Sequence, residues 1–544
     1  MYILNKLKNL KLEILFFIFF VLVRLPYLGF EMFNTDVWKW KSRIFDFGQG
    51  VFTLDFAMTL QRYHPGVTLM WIGSFAVKAH NLYYENLLGI NPYLDPIKVV
   101  FSIHFFQKLF IIISLAFVYT VILYFVKKMF GNKYALISTV LLSMEPFYYA
   151  LTRVVHLEGL MTAFIFASII LFYYYYFYEN KKWIFLLSSF FGALGFLTKT
   201  SATFIPLFIG FILFFEYINR RKKLFQVSKV FLLWFLGFVL WIFALWPALW
   251  VIPSDTLATL SRGVFSVGVE DGHAQIFFGK MSPDPGFFFY PSVIAFKSSI
   301  YLLPLLIFSV YLYLKGKFAK DIEKFIGYML FFVFFYFLMI TIPSKKLDRY
   351  VIPIIISFVY IYSFAIVYYL NMFKGRVLYL ITIAVLLPSI ITIVLLKNDY
   401  FSYYSPYFGG IKYGIKTLEP KWIIGHHQIA LFARSRIQSG EYRAWENDVS
   451  ISDLVNKPNV DKRLTLAFPE KYYTQIWPFI RKEGAWAVIE YLYPEARHAQ
   501  YFIFPVWEDT AIEKKRYRLV LVDKIYLNGV PVYNVYENLA ALGK

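Results

Sequence analysis

The residues that could do chemistry in this chain are few and gather in short stretches. Asp36 lies in EMFNTDVWKWKSRIF, Arg153 and Glu158 in TRVVHLEGLMTAF, Lys199 in FLTKTSAT, and Lys345, Lys346, Arg349 and Tyr350 in SKKLDRYVIP. Each stretch abuts an apolar run. Its charges therefore fall near a bilayer surface, where an ion costs free energy and ordinarily has a partner. Arg suits phosphate through its planar fork, and Lys as a compact charge. A carboxylate beside them can take the proton of an attacking hydroxyl. Together the five cations Arg153, Lys199, Lys345, Lys346 and Arg349 predict an anionic ligand at membrane depth, such as a lipid phosphate or pyrophosphate head group. Taken singly, each cation could equally snorkel to ordinary head groups. Asp36 and Glu158 could each serve the first turn of a helix.

Positioning these residues falls to helices that cross a membrane. Of 544 residues, 59% are hydrophobic and only 16% charged. Runs near 20 apolar residues recur, the length that spans roughly 30 Å of hydrocarbon. About eleven transmembrane helices are expected, near 12–30, 98–126, 134–151, 157–178, 183–198, 201–218, 228–250, 288–314, 323–342, 350–370 and 376–396. The fold class is thus a polytopic α-helical membrane protein. The basic connections NKLKNLK, KKMFGNK, ENKKW, NRRKK, KGKFAKDIEK and FKGR are expected in the cytoplasm with the N-terminus. The start MYILNKLKNLKLE reads as the head of an uncleaved first helix. Loops 31–97 and 251–287 then fall outside, as do the span ends that carry the five cations. Residues 1–397 form the membrane domain. Residues 398–544 lose the long apolar runs and are expected to form a small α/β domain on the extracytoplasmic face. There RYRLVLVDKIYLNGVPVYNVYE reads as a hairpin turning at Asn528-Gly529. The expected location is a multi-pass plasma membrane protein.

Composition closes several routes. The absence of cysteine excludes disulfides, thiol catalysis and cysteine-bound metal. The net charge of +21 is no nucleic-acid footprint, because +18 of it lies in the first 397 residues. Cations in loops between spans set topology or hold phosphate.

In order along the chain come an acid after the first span (Asp36), RYHPGVTLMWIG, TRVVHLEGLM, GALGFLTKTSATFIPL, GHAQIFFGKMSPDPGFFFYPSVIAFKSS, SKKLDRYVIP, YYSPYFGG and LNGVPVYNVYE. This ordered set resembles the GT-C type glycosyltransferases that use polyprenyl-phosphate sugars. Within them it is most similar to the protein O-mannosyltransferase-like prokaryotic proteins, and more distantly to the lipid A aminoarabinose transferases. The resemblance covers nearly the whole chain and implies the GT-C fold. It implies transfer of a sugar from a polyprenyl-phosphate donor to an extracytoplasmic hydroxyl, with inversion and Asp36 as base. The acceptor could be protein, lipid or glycan. Membrane lipids are the other partners, and no nucleic acid is expected.

The resemblance also distributes roles. His64, in YHPG, matches a family position on the acceptor or sugar side; a polar residue at a helix start is an equal alternative. Arg153 and Glu158 match an arginine–acid pair in which Asp is commoner than Glu, and Glu158 is expected to be catalytic alongside Asp36. Lys199 matches a phosphate-side lysine. His273 and Tyr290 fall in the donor-side loop, and Lys297 in the same stretch reads as interfacial. Lys345, Lys346, Arg349 and Tyr350 become a clamp for the departing lipid phosphate, with Asp348 orienting Arg349. Asp36, His64, His156, Glu158 and His273 include metal donors at undiagnostic spacing. No obligatory cofactor is expected, a divalent ion being an option. Where relatives often carry GWGEG, this chain has IIGHHQIALFA, and His426 and His427 read as a surface pair. The alternative is a transporter or flippase of lipid-linked sugars. Internal repeats and mid-membrane charges would favour it, and neither is evident. An oligosaccharyltransferase would carry a WWDYG-like motif, which is absent.

Overall fold

Uninterrupted apolar residues make helices here, and the breaks fall at glycine, proline and buried charge. The computed structural model describes residues 10–541 other than 220, 266–271, 273, 446–461 and 493–495. Among them seven helices are long and apolar enough to cross a membrane, or eight if one bent pair is a single span. The chain is a multi-pass membrane protein; fewer of its described helices are long enough to cross alone than the eleven spans expected.

Three segments depart from simple spans. The helix Pro96–Ser143 has 48 residues, which at full length would rise about 72 Å. Gly131 breaks it, with φ 84° and ψ 169°. Tyr119 before the break and Tyr148 after it meet hydroxyl to hydroxyl at 2.5 Å. The chain therefore folds back at Gly131, which recovers the expected pair 98–126 and 134–151. The first helix, Lys11–Leu22, ends eight residues short of the expected limit. Just beyond it Arg24 is buried and donates to Thr152 Oγ1 (2.9 Å) and Ser143 O (2.6 Å). The expected span 288–314 is not one straight helix: Phe289–Lys297 and Leu302–Leu314 are bent by 109°. Lys297 donates to the carbonyls of Phe401 and Tyr403, both at 3.1 Å. Ser299 donates its N–H and hydroxyl to buried Glu145 at 2.7 and 2.8 Å. These bonds draw the backbone out of the helix and satisfy what the break exposes.

The loop between the first two spans is largely helical, with Val37–Phe52 and Val67–Asn81. In the later loop, strands β1 (Gln275–Phe277) and β2 (Lys280–Ser282) form a hairpin. The N–H groups of Phe278 and Gly279 donate to the carbonyls of Thr417 (2.9 Å) and Lys416 (3.1 Å).

Past the last span the chain builds a five-stranded mixed sheet. Its strands are β3 (Thr465–Phe468), β4 (Trp486–Ile489), β5 (Tyr501–Pro505), β6 (Leu519–Leu527) and β7 (Val530–Asn538), in the order β4-β3-β5-β7-β6. The pairs of β3 with β4 and β5 are parallel; β5–β7 and β6–β7 are antiparallel. Asn528 and Gly529, at φ 49° and 77°, make the tight β6–β7 turn. The helix Glu470–Lys482 docks this sheet onto the bundle. Phe479 meets Phe33 (5.6 Å) and Phe101 (5.4 Å), and Trp477 meets Trp38 (5.1 Å). Trp38 Nε1 donates to Thr474 O at 2.6 Å. Ring pairs of this kind contribute about 1 kcal/mol each beyond burial, enough in sum to hold the sheet against the loops that carry the site.

Candidate active site

Asp36 occupies the N-cap position of Val37–Phe52, yet its carboxylate caps nothing. Its N–H donates to Asn34 Oδ1 at 3.0 Å, which turns the side chain outward. Asp36, Lys39, Trp40 and Arg43 follow at spacings of three, four and seven, one face of a helix. All four line a cavity of about 430 Å³ with Thr35, Tyr63, His64, His156, Glu158, Lys199, Lys345, Arg349, Tyr350, Glu419, Lys421, Trp422 and Lys471. Seven Lys and Arg side chains on this wall face three carboxylates, so the space favours an anion.

Glu158 is the hub. It opens the helix Glu158–Phe177 and is 1% exposed. Its Oε1 accepts from Lys199 Nζ at 2.9 Å and from Arg349 Nε at 3.2 Å. Its Oε2 pairs with His156 Nδ1. The other face of that imidazole lies 3.5 Å from Asp36 Oδ2, and Arg349 approaches the same oxygen at 4.0 Å. Glu158 thus spends both oxygens on neighbours. The Asp36 side chain is 33% exposed and opens to the cavity.

Electrostatics separate the groups further. Burial pushes the Asp36 carboxyl up, but the hydrogen bond and charge of His156, with Arg349 and Lys39, outweigh it and hold the group below the usual carboxylate range. Burial disfavours protonated His156, but Glu158 and Asp36 raise it above its ordinary value. His64 is lowered to about 4 by burial and by Lys199 and Lys345, leaving a neutral ring at pH 7.

The structure brings together Asp36, His64, Glu158, Lys199, Lys345, Arg349 and Tyr350. Lys199 Nζ also lies 4.0 Å from the centre of the Tyr350 ring. Other expected residues are spent elsewhere. Arg153, 1% exposed, pairs with Glu31 at 2.9 Å and donates to the carbonyls of Arg24 and Pro26. Lys346 pairs with Asp284 at 2.8 Å and donates to Pro343 O. Tyr290 is buried within Phe289–Lys297 and is not on the cavity wall. Buried Lys297 is held by carbonyls rather than at an interface. His273 lies outside the described residues. His426 is 1% exposed, its ring 4.7 Å from Phe479, so the expected surface pair is half buried. Lys39, Trp40 and Arg43 escaped the sequence reading although their helical spacing from Asp36 could have found them. Glu419, Lys421, Trp422 and Lys471 reach the cavity only through tertiary docking, which leaves no local signal.

A second cavity of about 310 Å³ shares His64, Lys199, Lys345 and Tyr350 with the first and continues between helices past Met161, Tyr336, Met339, Ile340 and Pro343. The combined space is charged at one end and apolar at the other. Among the described residues no three His, Asp or Glu side chains form a group that could hold a metal ion. Glu158 and His156 already take each other as partners.

Residues 98–246 match the family model described as dolichyl-phosphate-mannose-protein mannosyltransferase, a stretch that includes His156, Glu158 and Lys199. No curated protein matches the chain. Among solved structures, ArnT from Cupriavidus metallidurans bound to undecaprenyl phosphate aligns with a TM-score of 0.50 and 10% identity, over 97% of this chain and 98% of that one. Its apo state gives 0.48 and 12%, over 99% of each chain. The archaeal oligosaccharyltransferase AglB from Archaeoglobus fulgidus, in complex with an inhibitory peptide and a dolichol-phosphate, gives 0.45 and 11%, over 98% of this chain and 74% of that one. The first likeness runs the length of both chains and establishes the fold. The protein has the GT-C glycosyltransferase fold, and the resemblance read from its motifs to polyprenyl-phosphate-sugar-dependent transferases is supported by the family-model match.

Proposed function

We propose that this chain moves a sugar from a polyprenyl-phosphate donor to an acceptor hydroxyl on the extracytoplasmic side of the membrane, with inversion at the sugar carbon. One observation carries the reading. A polar cavity holding Asp36 continues into an apolar one, and the two meet at His64, Lys199, Lys345 and Tyr350. A polyprenyl phosphate has the same two-part character. ArnT, whose fold the chain shares, was solved with undecaprenyl phosphate, and we carry that ligand class over by analogy. Asp36 takes the proton of the acceptor hydroxyl as its oxygen bonds to the anomeric carbon. The bond from that carbon to the phosphate oxygen breaks, and its electron pair leaves on the phosphate. Lys199, Lys345 and Arg349 offset the charge that develops there. Glycoside hydrolysis needs a second carboxyl to protonate a poor leaving group; phosphate is a weak base, and cations replace that acid. Glu158 keeps Lys199 and Arg349 in place.

The test offers purified full-length protein a panel of undecaprenyl-phosphate-linked hexoses and pentoses, with membrane extract as acceptor. Asp36→Asn should reduce transfer by about 10²- to 10⁴-fold, the usual worth of a general base, with undecaprenyl phosphate affinity kept within about twofold. An Asp36→Asn protein as active as the wild type removes the base. A wild type that turns over no member of the panel removes the whole reading.

A further inference from the structure

Trp422 belongs to the segment after the last span, yet its indole touches three parts of the site. Nε1 donates to Thr35 Oγ1 at 3.1 Å, on the residue just before Asp36. The ring lies 5.2 Å from the imidazole of His156, at 63°. The guanidinium carbon of Arg349 lies 5.2 Å from the ring centroid. Both groups approach Asp36 Oδ2, His156 at 3.5 Å and Arg349 at 4.0 Å. The indole is itself fixed from behind. It is 4% exposed and packs against Phe401, with ring centroids 4.8 Å apart. The next residue, Ile423, donates its N–H to Gln475 Oε1 at 2.9 Å, and the Gly425 N–H is taken by the Asp399 carboxylate. Gln475 is on the helix that docks the sheet.

From this we infer that Trp422 is a positioning residue for the transfer reaction: it sets Asp36 through Thr35 and caps the His156–Arg349 pair, so the C-terminal domain completes the base without supplying it. The inference rests on the reading of Asp36 as base. A catalytic carboxylate must meet the hydroxyl at hydrogen-bond distance, and a displacement near 1 Å costs on the order of 100-fold. The loop before Asp36 carries Asn34 and Thr35. Asn34 is tied to Val155 O at 3.3 Å. Phe33 and Trp38 pack on the helix Glu470–Lys482 on either side, and the Trp422–Thr35 bond ties the residue next to Asp36 to the segment after the last span.

The experiment uses full-length protein and the panel donor that the wild type turns over. Trp422→Ala should lower kcat by roughly 10- to 100-fold with the donor KM within about twofold, the signature of a misplaced catalytic group. Trp422→Phe keeps the ring and loses only the N–H. It should lose about fivefold, the worth of one hydrogen bond. Thr35→Val removes the other half of that bond, so it should show the same loss, and the double variant no more than either single one. On the residual turnover of Asp36→Asn, adding Trp422→Ala should change nothing further. A Trp422→Ala protein with raised KM and unchanged kcat overturns the inference, and so does a full additional loss in the Asp36→Asn background. If Trp422→Ala fails to fold, the Trp422→Phe and Thr35→Val pair decides, and wild-type kcat in both overturns it. An active Asp36→Asn protein sinks the base reading instead, which separates the two failures.

Discussion

Glu158 and Asp36 are both carboxylates in contact with His156, but their surroundings give them different work. Glu158 is buried among Lys199, Arg349 and His156. Removing one partner of such a cluster leaves buried charge uncompensated, at about 3–5 kcal/mol. Glu158→Gln should therefore lower the thermal midpoint of the purified protein sharply, and Asp36→Asn, at the open cavity wall, should lower it less. Equal midpoints for the two variants would place Glu158 outside the structural role. The pH profile is set by the same contacts. Asp36 is depressed below its ordinary value, so it stays ionised through neutral pH and down past about 3.9, the unperturbed Asp value. Its share of stability is present above that value and is lost as pH falls through the lower folded one. His156 is raised above its ordinary 6.5. Its pairing with Glu158 is fully present below that value and is lost as pH rises through the raised one. Transfer should hold steady across mildly acidic pH and fall on the alkaline side. His156→Gln should flatten the alkaline fall and move the acid limb upward, because Asp36 loses the partner that depresses it. A profile unchanged by His156→Gln would count against the pairing.

At the scale of elements, the glycine of YHPG shows why some local signals are about packing rather than chemistry. Gly66 starts the helix Val67–Asn81 in a left-handed conformation, φ 58°, and a Cβ there would run into the Trp40 ring on the cavity wall. Its N–H also donates to Thr198 O at 3.3 Å, beside Lys199. Gly66→Ala should cost about 1–3 kcal/mol through strain and overpacking. It should reduce transfer as well, because Trp40 and the turn before Lys199 both shift; full activity with only lowered stability would show that Trp40 does not shape the cavity. The helices themselves were legible, because apolar runs bounded by charge have one reading in a bilayer. The β6–β7 hairpin was legible from Asn528-Gly529. The bend within 288–314 was not. It depends on Glu145, Phe401 and Tyr403, all more than 100 residues away in sequence from Lys297 and Ser299, and periodicity within a segment carries no trace of such partners.

Across the whole molecule, the stray cations told the sequence that a polar site exists, but not which of them enter it. Lys199, Lys345 and Arg349 line the cavity, while Arg153 pairs with Glu31, which Lys108 also approaches, and Lys346 pairs with Asp284. Both kinds look alike in one dimension, because a counter-charge 62 or 122 residues distant leaves no local pattern. The same holds for Trp422, whose role arises only once the sheet has docked. The expected placement of these parts outside, with the basic loops on the opposite face, is directly testable. The chain has no cysteine, so a single introduced thiol is the whole labelling signal. Lys280→Cys in the β1–β2 hairpin and Lys416→Cys beside it are exposed positions at the cavity end, and Lys222→Cys and Lys317→Cys are exposed positions in basic loops. A membrane-impermeant maleimide applied to intact cells should label positions 280 and 416 at once and 222 and 317 only after permeabilisation. The exchange of donor phosphate for acceptor hydroxyl at Asp36 would then occur outside, where a lipid-linked sugar is the activated form at hand and soluble nucleotide sugars are not. Labelling of 222 and 317 alone in intact cells would turn the cavity to the cytosol, and the need for a lipid-borne donor would disappear with it.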